Sequence, residues 1–340
     1  MKMAPLARVL RRASVDHLIV HTGQHYDENM SGGFFKDLGI PVPYQNLGVG
    51  SGSHATQTAA VMQRLEPILL ESQPDRVVVY GDVNSTLAAT LVAAKLGIGV
   101  GHVEAGLRSR DRSMPEEVNR VVTDRLADLL FTPSRDADEN LIGEGVSKEC
   151  IHFVGNIMID SLAAALPAAR DLRTAERLGL SLGEYVVVTM HRPSNVDDPE
   201  TLATVMRGLD CIAQTRPVLF AVHPRTRGRL ADLGIQSASP GLRLLDPLGY
   251  IEMLSLVSEA GLVITDSGGL QEETTFLGVP CLTVRPNTER PVTITHGTNR
   301  LVNPHDLLEA AGRAWSTGGR REIELWDGHA AERIARILLA

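Results

Sequence analysis

The chain has 340 residues, 43% of them hydrophobic and 22% charged, which suits a folded protein long enough for two domains and excludes a disordered one. A formal net charge of −8 excludes a general nucleic-acid binder, because phosphate backbones demand a basic surface, but it leaves room for a local basic pocket around one nucleotide. Cys150, Cys211 and Cys281 are odd in number, widely spaced and set in apolar surroundings, so they read as reduced core thiols of a cytoplasmic protein, with neither a disulfide framework nor a zinc knuckle. No apolar run reaches membrane-spanning length, and no cluster has the spacing of metal ligands.

Residues 1–12 are basic but lack the long apolar centre of a signal peptide, and they read as the start of a helix. A doubly wound domain usually opens with a strand and a tight turn before that helix, so the chain is expected to lack a first strand. From there β-rich apolar runs alternate with helical patterns, the signature of parallel sheets flanked by helices. In the first half, strands are expected at 17–21, 76–80, 99–103, 129–132 and 151–154, with helices at 54–71, 85–96, 115–126 and 136–143. A seam near 155–171 leads into strands at 185–189, 218–222, 242–245, 262–265 and 281–284. Helices at 199–214, 226–233, 250–258, 270–277, 305–315 and 329–339 complete the second half. The fold class is α/β: two Rossmann-like doubly wound domains, 1–155 and 156–340, facing across a cleft, the last helix being a candidate to cross back to the first domain.

The chemistry concentrates where strands end. Residues 262–273 run from an apolar strand through Thr265-Asp266-Ser267-Gly268-Gly269 into a helix that carries Glu272 and Glu273 in its first turn. Unpaired N–H groups and the positive end of the helix dipole meet there, which suits a diphosphate, and Glu273 lies one turn in, where a ribose is within reach. The ordinary alternative is that Ser267 caps the helix and the glutamates complement its dipole. Asp82 follows the strand at 76–80 and is either a cap or an acid. Glu104 is not at a capping position; its ordinary role would be an ion pair with Arg108 or a nearby arginine.

Ser113-Met114-Pro115-Glu116 fits a capping box, while burial of Val118, Val121, Val122 and Leu126 would leave Glu116, Asn119, Arg120 and Thr123 as one polar stripe towards the cleft. His191 ends the strand at 185–189 and suits proton donation to a leaving phosphate; His223 reads as positional. The glycine-rich loop 48–53 does not fit a dinucleotide cradle, and His102-Val103-Glu104 lacks the cysteine pair of a zinc deaminase. Carboxylates clustered in one pocket repel, so one holds its proton and the set offers both an acid and a base.

Several motifs occur together in family order: Lys2-Met3-Ala4-Pro5-Leu6, Thr22-Gly23-Gln24-His25, Gly81-Asp82 and His102-Val103-Glu104-Ala105-Gly106-Leu107-Arg108. Pro115-Glu116-Glu117-Val118-Asn119-Arg120, His191-Arg192, Thr265-Asp266-Ser267-Gly268-Gly269 and Thr288-Glu289-Arg290-Pro291 follow. On these the chain resembles the non-hydrolysing UDP-N-acetylglucosamine 2-epimerases, which share the GT-B architecture. The resemblance implies interconversion of UDP-GlcNAc and UDP-ManNAc with no metal or other cofactor, by elimination of UDP to a 2-acetamidoglucal and its re-addition. It implies catalytic roles for Asp82, Glu104, Glu116 and His191, and substrate contacts from Lys2, Arg108, Ser267, Gly268, Gly269, Glu273 and Arg290. A homodimer is implied as well.

The family opens with a strand and Gly-Thr-Arg-Pro-Glu ahead of the Lys-Met-Ala-Pro helix; lacking these, the chain is expected to bind UDP more weakly and to have a destabilised first domain. Ser194 stands where many relatives carry Glu, and Ser51 near an arginine of an allosteric sugar-nucleotide site, so regulation by substrate is not expected. The rival readings are an epimerase of a modified UDP-hexosamine, a UDP-sugar hydrolase, a retaining glycosyltransferase on the same scaffold, and a nucleotide-binding remnant without turnover.

Overall fold

A computed structural model describes residues 1–23, 38–315, 319 and 322–340. Gln24 and His25 of the Thr-Gly-Gln-His motif lie outside the described residues. The chain forms two compact units, Met1–Ser161 with Glu324–Ala340, and Leu162–Ile323.

The first unit opens with α1 (Met3–Arg12), β1 (Val20–His21) and β2 (Gln45–Asn46). It continues through α2 (His54–Ser72), β3 (Arg76–Tyr80), α3 (Asn84–Lys95), β4 (Gly99–Val103), α4 (Pro115–Leu126), β5 (Leu129–Thr132), α5 (Arg135–Gly143) and β6 (Ile151–Phe153). Strands β3 to β6 pair in chain order as a parallel sheet, as crossover helices require. Alternate residues of β3 serve two cores: Val77 and Val79 pack with Leu65 and Ile68 of α2, while Val78 and Tyr80 pack with Leu6 of α1 and Ile334. Strands β1 and β2 pair with each other, and a cavity of about 700 Å³ lies between β1 and β3 under Leu6, Leu10, Leu65 and Leu69.

The helix α6 (Ile157–Leu172) leaves this unit for the second. There α7 (Thr174–Arg177), β7 (Val186–Thr189), α8 (Pro193–Val196), α9 (Pro199–Ile212), β8 (Val218–Ala221), α10 (Pro224–Asp232) and β9 (Leu242–Leu245) precede α11 (Tyr250–Ser258) and β10 (Leu262–Thr265). Then come α12 (Gly268–Leu277), β11 (Cys281–Val284), α13 (Val292–Thr295), β12 (Asn299–Val302) and α14 (Leu307–Ala314). The six parallel strands are ordered β12-β11-β10-β7-β8-β9. The winding reverses between β7 and β10, where a doubly wound sheet opens a crevice at its carboxyl edge. Residues ending those two strands are therefore placed for ligand binding. The last helix, α15 (Ala330–Leu338), belongs to the first unit: Ala330 and Ala331 donate their N–H groups to Asp160, at 3.1 and 2.8 Å.

Several expectations need correction. The strand expected at 17–21 is only Val20–His21, and β2 and β12 were not anticipated. Of the three free cysteines Cys281 alone is buried; Cys211 is exposed on α9, and Cys150 is intermediate.

The largest correction concerns α4. Its buried face is Glu117, Asn119, Arg120, Thr123 and Asp124, while Val118 is 48% exposed and Leu126 is also exposed. Amphipathic reasoning places the apolar stripe inside, but here nearly every buried polar group brings a partner. Asn119 donates to the Asp82 carbonyl at 2.9 Å, Arg120 pairs with both Asp82 and Glu117, and Asp124 receives His102 and Arg108. Paired burial of this kind avoids most of the desolvation cost of orphaned polar groups. The capping box is also not formed. Ser113 donates to Asp111, and Met114 stands at the N-cap without a side-chain bond.

Candidate active site

In the first unit, β3 and β4 end side by side, and their last residues lead into Gly81-Asp82 and Glu104. Glu104 is buried with a left-handed backbone, φ +74°, a conformation that costs a non-glycine residue about 1–2 kcal/mol. Its N–H and that of Ala105 both donate to the Phe131 carbonyl, at 3.0 and 3.1 Å, which holds the unfavourable turn in place. The Glu104 carboxylate pairs with Lys2 rather than with an arginine. Lys2 in turn reaches over Gly81, where an added Cβ would stand 2.7 Å from its Nζ and 3.6 Å from Glu104 Oε2. That crowding, together with φ +66°, makes glycine the residue that fits position 81.

The N-cap of α3 is Val83, and the Asp82 carboxylate is held by the Arg120 guanidinium, with Nε at 3.1 Å. Arg120 also binds Glu117, which receives the Ser109 and Arg110 N–H groups at 2.9 and 2.8 Å. Glu116, half-buried in the first turn of α4, is the neighbour of that anchored glutamate. Asp82 and Glu104 thus meet at the carboxyl edge of the sheet, and Arg120 ties α4, with Glu116, to the same edge.

Arg108, expected among the substrate contacts, is built into the frame of the first unit. Its guanidinium is buried and donates to Asp124 at 2.7 Å, to Glu144 at 2.8 and 2.7 Å, and to its neighbour's carbonyl, Leu107 O, at 2.7 Å. His102, fully buried, links Asp124 (2.6 Å) to the Gly81 carbonyl (2.8 Å). Burial would raise the Asp124 carboxyl, but His102 and Arg108 together hold it below its ordinary value. His102, Glu117 and Asp124 were not expected as supports. The signals available were a histidine inside a strand and, for Glu117, an arginine three residues on; Asp124, whose partners lie 16 and 22 residues away, left none.

In the second unit, the turn after β10 carries Ser267, Gly268 and Gly269 into α12. Ser267 makes no side-chain cap, and its N–H donates to Thr265 Oγ1 at 3.0 Å. A Cβ on Gly268 would lie 2.5 Å from Arg290 Nη1 and 2.9 Å from Glu289 Oε1, so the guanidinium presses directly on the turn. Arg290 is buried and paired with Glu272 (3.0 Å) and Glu289, while Glu289 also holds Arg285 at 2.7 Å. His191 follows β7, with its Nδ1 2.9 Å from the carboxylate of Asp266, the residue preceding Ser267. The reversal of the sheet thus brings a histidine and a glycine-lined helix N-terminus together, a geometry that receives phosphate oxygens.

Glu273, one turn into α12, accepts a 3.2 Å bond from the Tyr250 hydroxyl. Burial pushes its carboxyl up to about 7; the Tyr250 bond opposes the rise and the Glu272 charge adds to it. Between pH 4.5 and 7 the unfolded chain ionises this group while the folded protein keeps it neutral. Stability from Glu273 is therefore complete below pH 4.5 and lost as pH rises through 7, with a range of about 3 kcal/mol. Glu273→Gln is expected to flatten the decline of the urea midpoint between pH 5 and pH 7.5. An unchanged slope contradicts the assignment.

Comparison with known proteins decides the family. A family model described as UDP-N-acetylglucosamine 2-epimerase matches residues 7–339. The chain belongs to this family. It is 41% identical over 347 residues to the UDP-N-acetylglucosamine 2-epimerase of Methanocaldococcus jannaschii, covering 99% of this chain and 95% of that one. It is 40% identical over 337 residues to the UDP-2,3-diacetamido-2,3-dideoxy-D-glucuronate 2-epimerase of Pseudomonas aeruginosa, covering 97% and 93%. The crystal structure of the M. jannaschii enzyme with UDP-GlcNAc and UDP superposes with a TM-score of 0.92 at 40% identity, covering 99% of this chain and 96% of that one. The fold is accordingly the GT-B type, with two Rossmann-like units. Among the described residues no helix of the epimerase is long and apolar enough to cross a membrane, and no group of three or more His, Cys, Asp or Glu side chains is set to hold a metal ion.

Proposed function

We propose that this epimerase interconverts UDP-GlcNAc and UDP-ManNAc, with UDP held at Ser267, Gly268 and Gly269. What carries the reading is the junction of β7 and β10, where Arg290 bears on Gly268 of the turn and His191 stands beside it. Backbone N–H groups and Arg290 neutralise the diphosphate, Glu273 accepts the ribose hydroxyls, and His191 donates to the oxygen leaving C1. Asp82, Glu104 and Glu116 supply the acid and base, with the Lys2 charge beside Glu104. One carboxylate takes the C2 proton, the C1–O bond breaks with its electron pair leaving on UDP, and a C1–C2 double bond forms. Re-addition of UDP at C1, with a proton delivered to the opposite face of C2, completes the inversion. A tightly held UDP keeps the neutral glycal paired with its partner.

Incubation with UDP-GlcNAc in heavy water, read by proton NMR, tests this. Deuterium at C2 of both intact nucleotide sugars is expected. Release of free ManNAc and UDP identifies a hydrolase, and UDP binding without exchange identifies a non-catalytic binder. Exchange confined to UDP-2,3-diacetamido-2,3-dideoxy-D-glucuronate transfers the substrate to that of the Pseudomonas relative. Reduced, well-separated thiols accord with a cytoplasmic location, where nucleotide sugars are made.

The active form is proposed to be a homodimer, with a second copy covering the exposed Val83, Val118 and Leu126 around α3 and α4. Val118→Glu is expected to shift the molecular mass in solution from dimer to monomer by light scattering. A monomeric unaltered protein refutes the proposal.

A further inference from the structure

We infer that Asp266 is the positioning residue for His191, orienting its imidazole and holding it in the form that delivers a proton from Nε2. The inference rests on His191 acting as the acid at the departing diphosphate, and it adds the group that makes this action possible. Asp266 directly follows β10 at the reversal of the sheet, is 0% exposed, and belongs to no substrate contact named above. Every polar contact it makes is directed at the segment that carries the histidine. Its carboxylate accepts the His191 N–H (3.0 and 3.2 Å), the Arg192 N–H (2.8 Å) and the Asn195 amide (3.1 Å), as well as His191 Nδ1 at 2.9 Å.

Two consequences follow from this geometry. The backbone bonds fix where residue 191 leaves β7, and the Nδ1 contact fixes the rotation of the ring. Because a carboxylate only accepts, Nδ1 must carry a proton. A proton shared with a phosphate oxygen is then on Nε2, and the imidazolium formed there faces a buried negative charge. The other groups around the ring do not supply this. His223, ending β8, lies with its ring centroid 5.8 Å away, and its Nδ1 accepts the Arg225 N–H. Arg192 sends its Nε to the Asp266 carbonyl at 3.0 Å. Asn195, which also donates to the Val284 carbonyl at 2.9 Å, braces the carboxylate from behind. Asp266 itself remains ionised: burial would raise it, but the His191 and Arg192 bonds together hold it below its ordinary range.

The test uses the full chain and has two independent readings. Long-range proton–nitrogen NMR of the unaltered protein reports the His191 tautomer, with Nδ1 protonated as the expected result. In Asp266→Asn the shape is kept and the charge lost, so the imidazolium formed at His191 no longer faces a negative charge. Epimerisation kcat should fall tenfold to a hundredfold near pH 8 and recover towards the unaltered rate as pH is lowered, with KM changed less than threefold. A loss equal at every pH marks a merely structural role and overturns the inference, as does an unprotonated Nδ1 in the unaltered protein. In a His191→Gln background, Asp266→Asn should cost nothing further, because the two act as one unit. If His191→Gln alone leaves kcat unchanged, the acid role of the histidine fails, while the NMR readings still report whether Asp266 governs its proton. Should Asp266→Asn not fold, the native tautomer decides alone.

Discussion

Glu104→Gln is expected to lower epimerisation and C2 deuterium exchange together by a factor of about 10²–10⁴, the range for removing a positioned acid or base. The expectation comes from the backbone as much as from the side chain. A glutamate with φ +74° sits where glycine would be at ease, yet two N–H bonds to Phe131 and the ion pair to Lys2 hold it there. A carboxylate kept in place against its own backbone preference is a mark of use. Glu104→Gly sharpens the test: it relieves the backbone while deleting the carboxyl, so it should match the unaltered fold within about 1 kcal/mol and yet be inactive. Retention of exchange within threefold in Glu104→Gln removes Glu104 from the mechanism.

Arg108→Met should destabilise the first unit by about 3–5 kcal/mol, the usual cost of removing one partner from a buried ion pair. Loss of the guanidinium leaves Asp124 buried against His102 alone and frees Glu144 from its two-pronged contact. His102 in turn bonds the Gly81 carbonyl, so disorder should spread to the turn that carries Asp82. Urea unfolding followed by amide exchange would register the effect as lost protection in β3 and β4 before the second unit responds. A change below 1 kcal/mol would show that Arg108 is dispensable to the frame. Activity should fall as well, through displacement of Asp82 rather than through a lost substrate contact.

Much of the molecule was legible before any coordinates. In the second unit the runs 185–189, 218–222, 262–265 and 281–284 are apolar on both faces, the pattern of strands covered by helices on both sides, and these four, like the run 242–245, are strands. Glycines at 268 and 269 marked the passage from β10 into α12. What eluded the reading was polar burial. Periodicity assumes that charge faces water, so α4 read with its faces exchanged. The deciding terms are long-range pairs, such as Arg120 with Asp82 and Asp124 with His102, and their sequence separation leaves no periodic trace. Asp266 was within the quoted motif, but its role depends on a histidine 75 residues away, brought beside it by the β7–β10 pairing.

Residues 324–340 complete a body whose other strands and helices were all synthesised before residue 162. The middle segment, 162–323, is by contrast continuous and closes around its own sheet. During synthesis the earlier part must therefore wait for residues 324–340: Leu6, Val103 and Phe131 lack their Ile334 cover, and the Val154 carbonyl lacks Arg333. The usual vectorial order, in which the part made first matures first, is reversed, and chaperone demand should concentrate on the portion that emerges earliest.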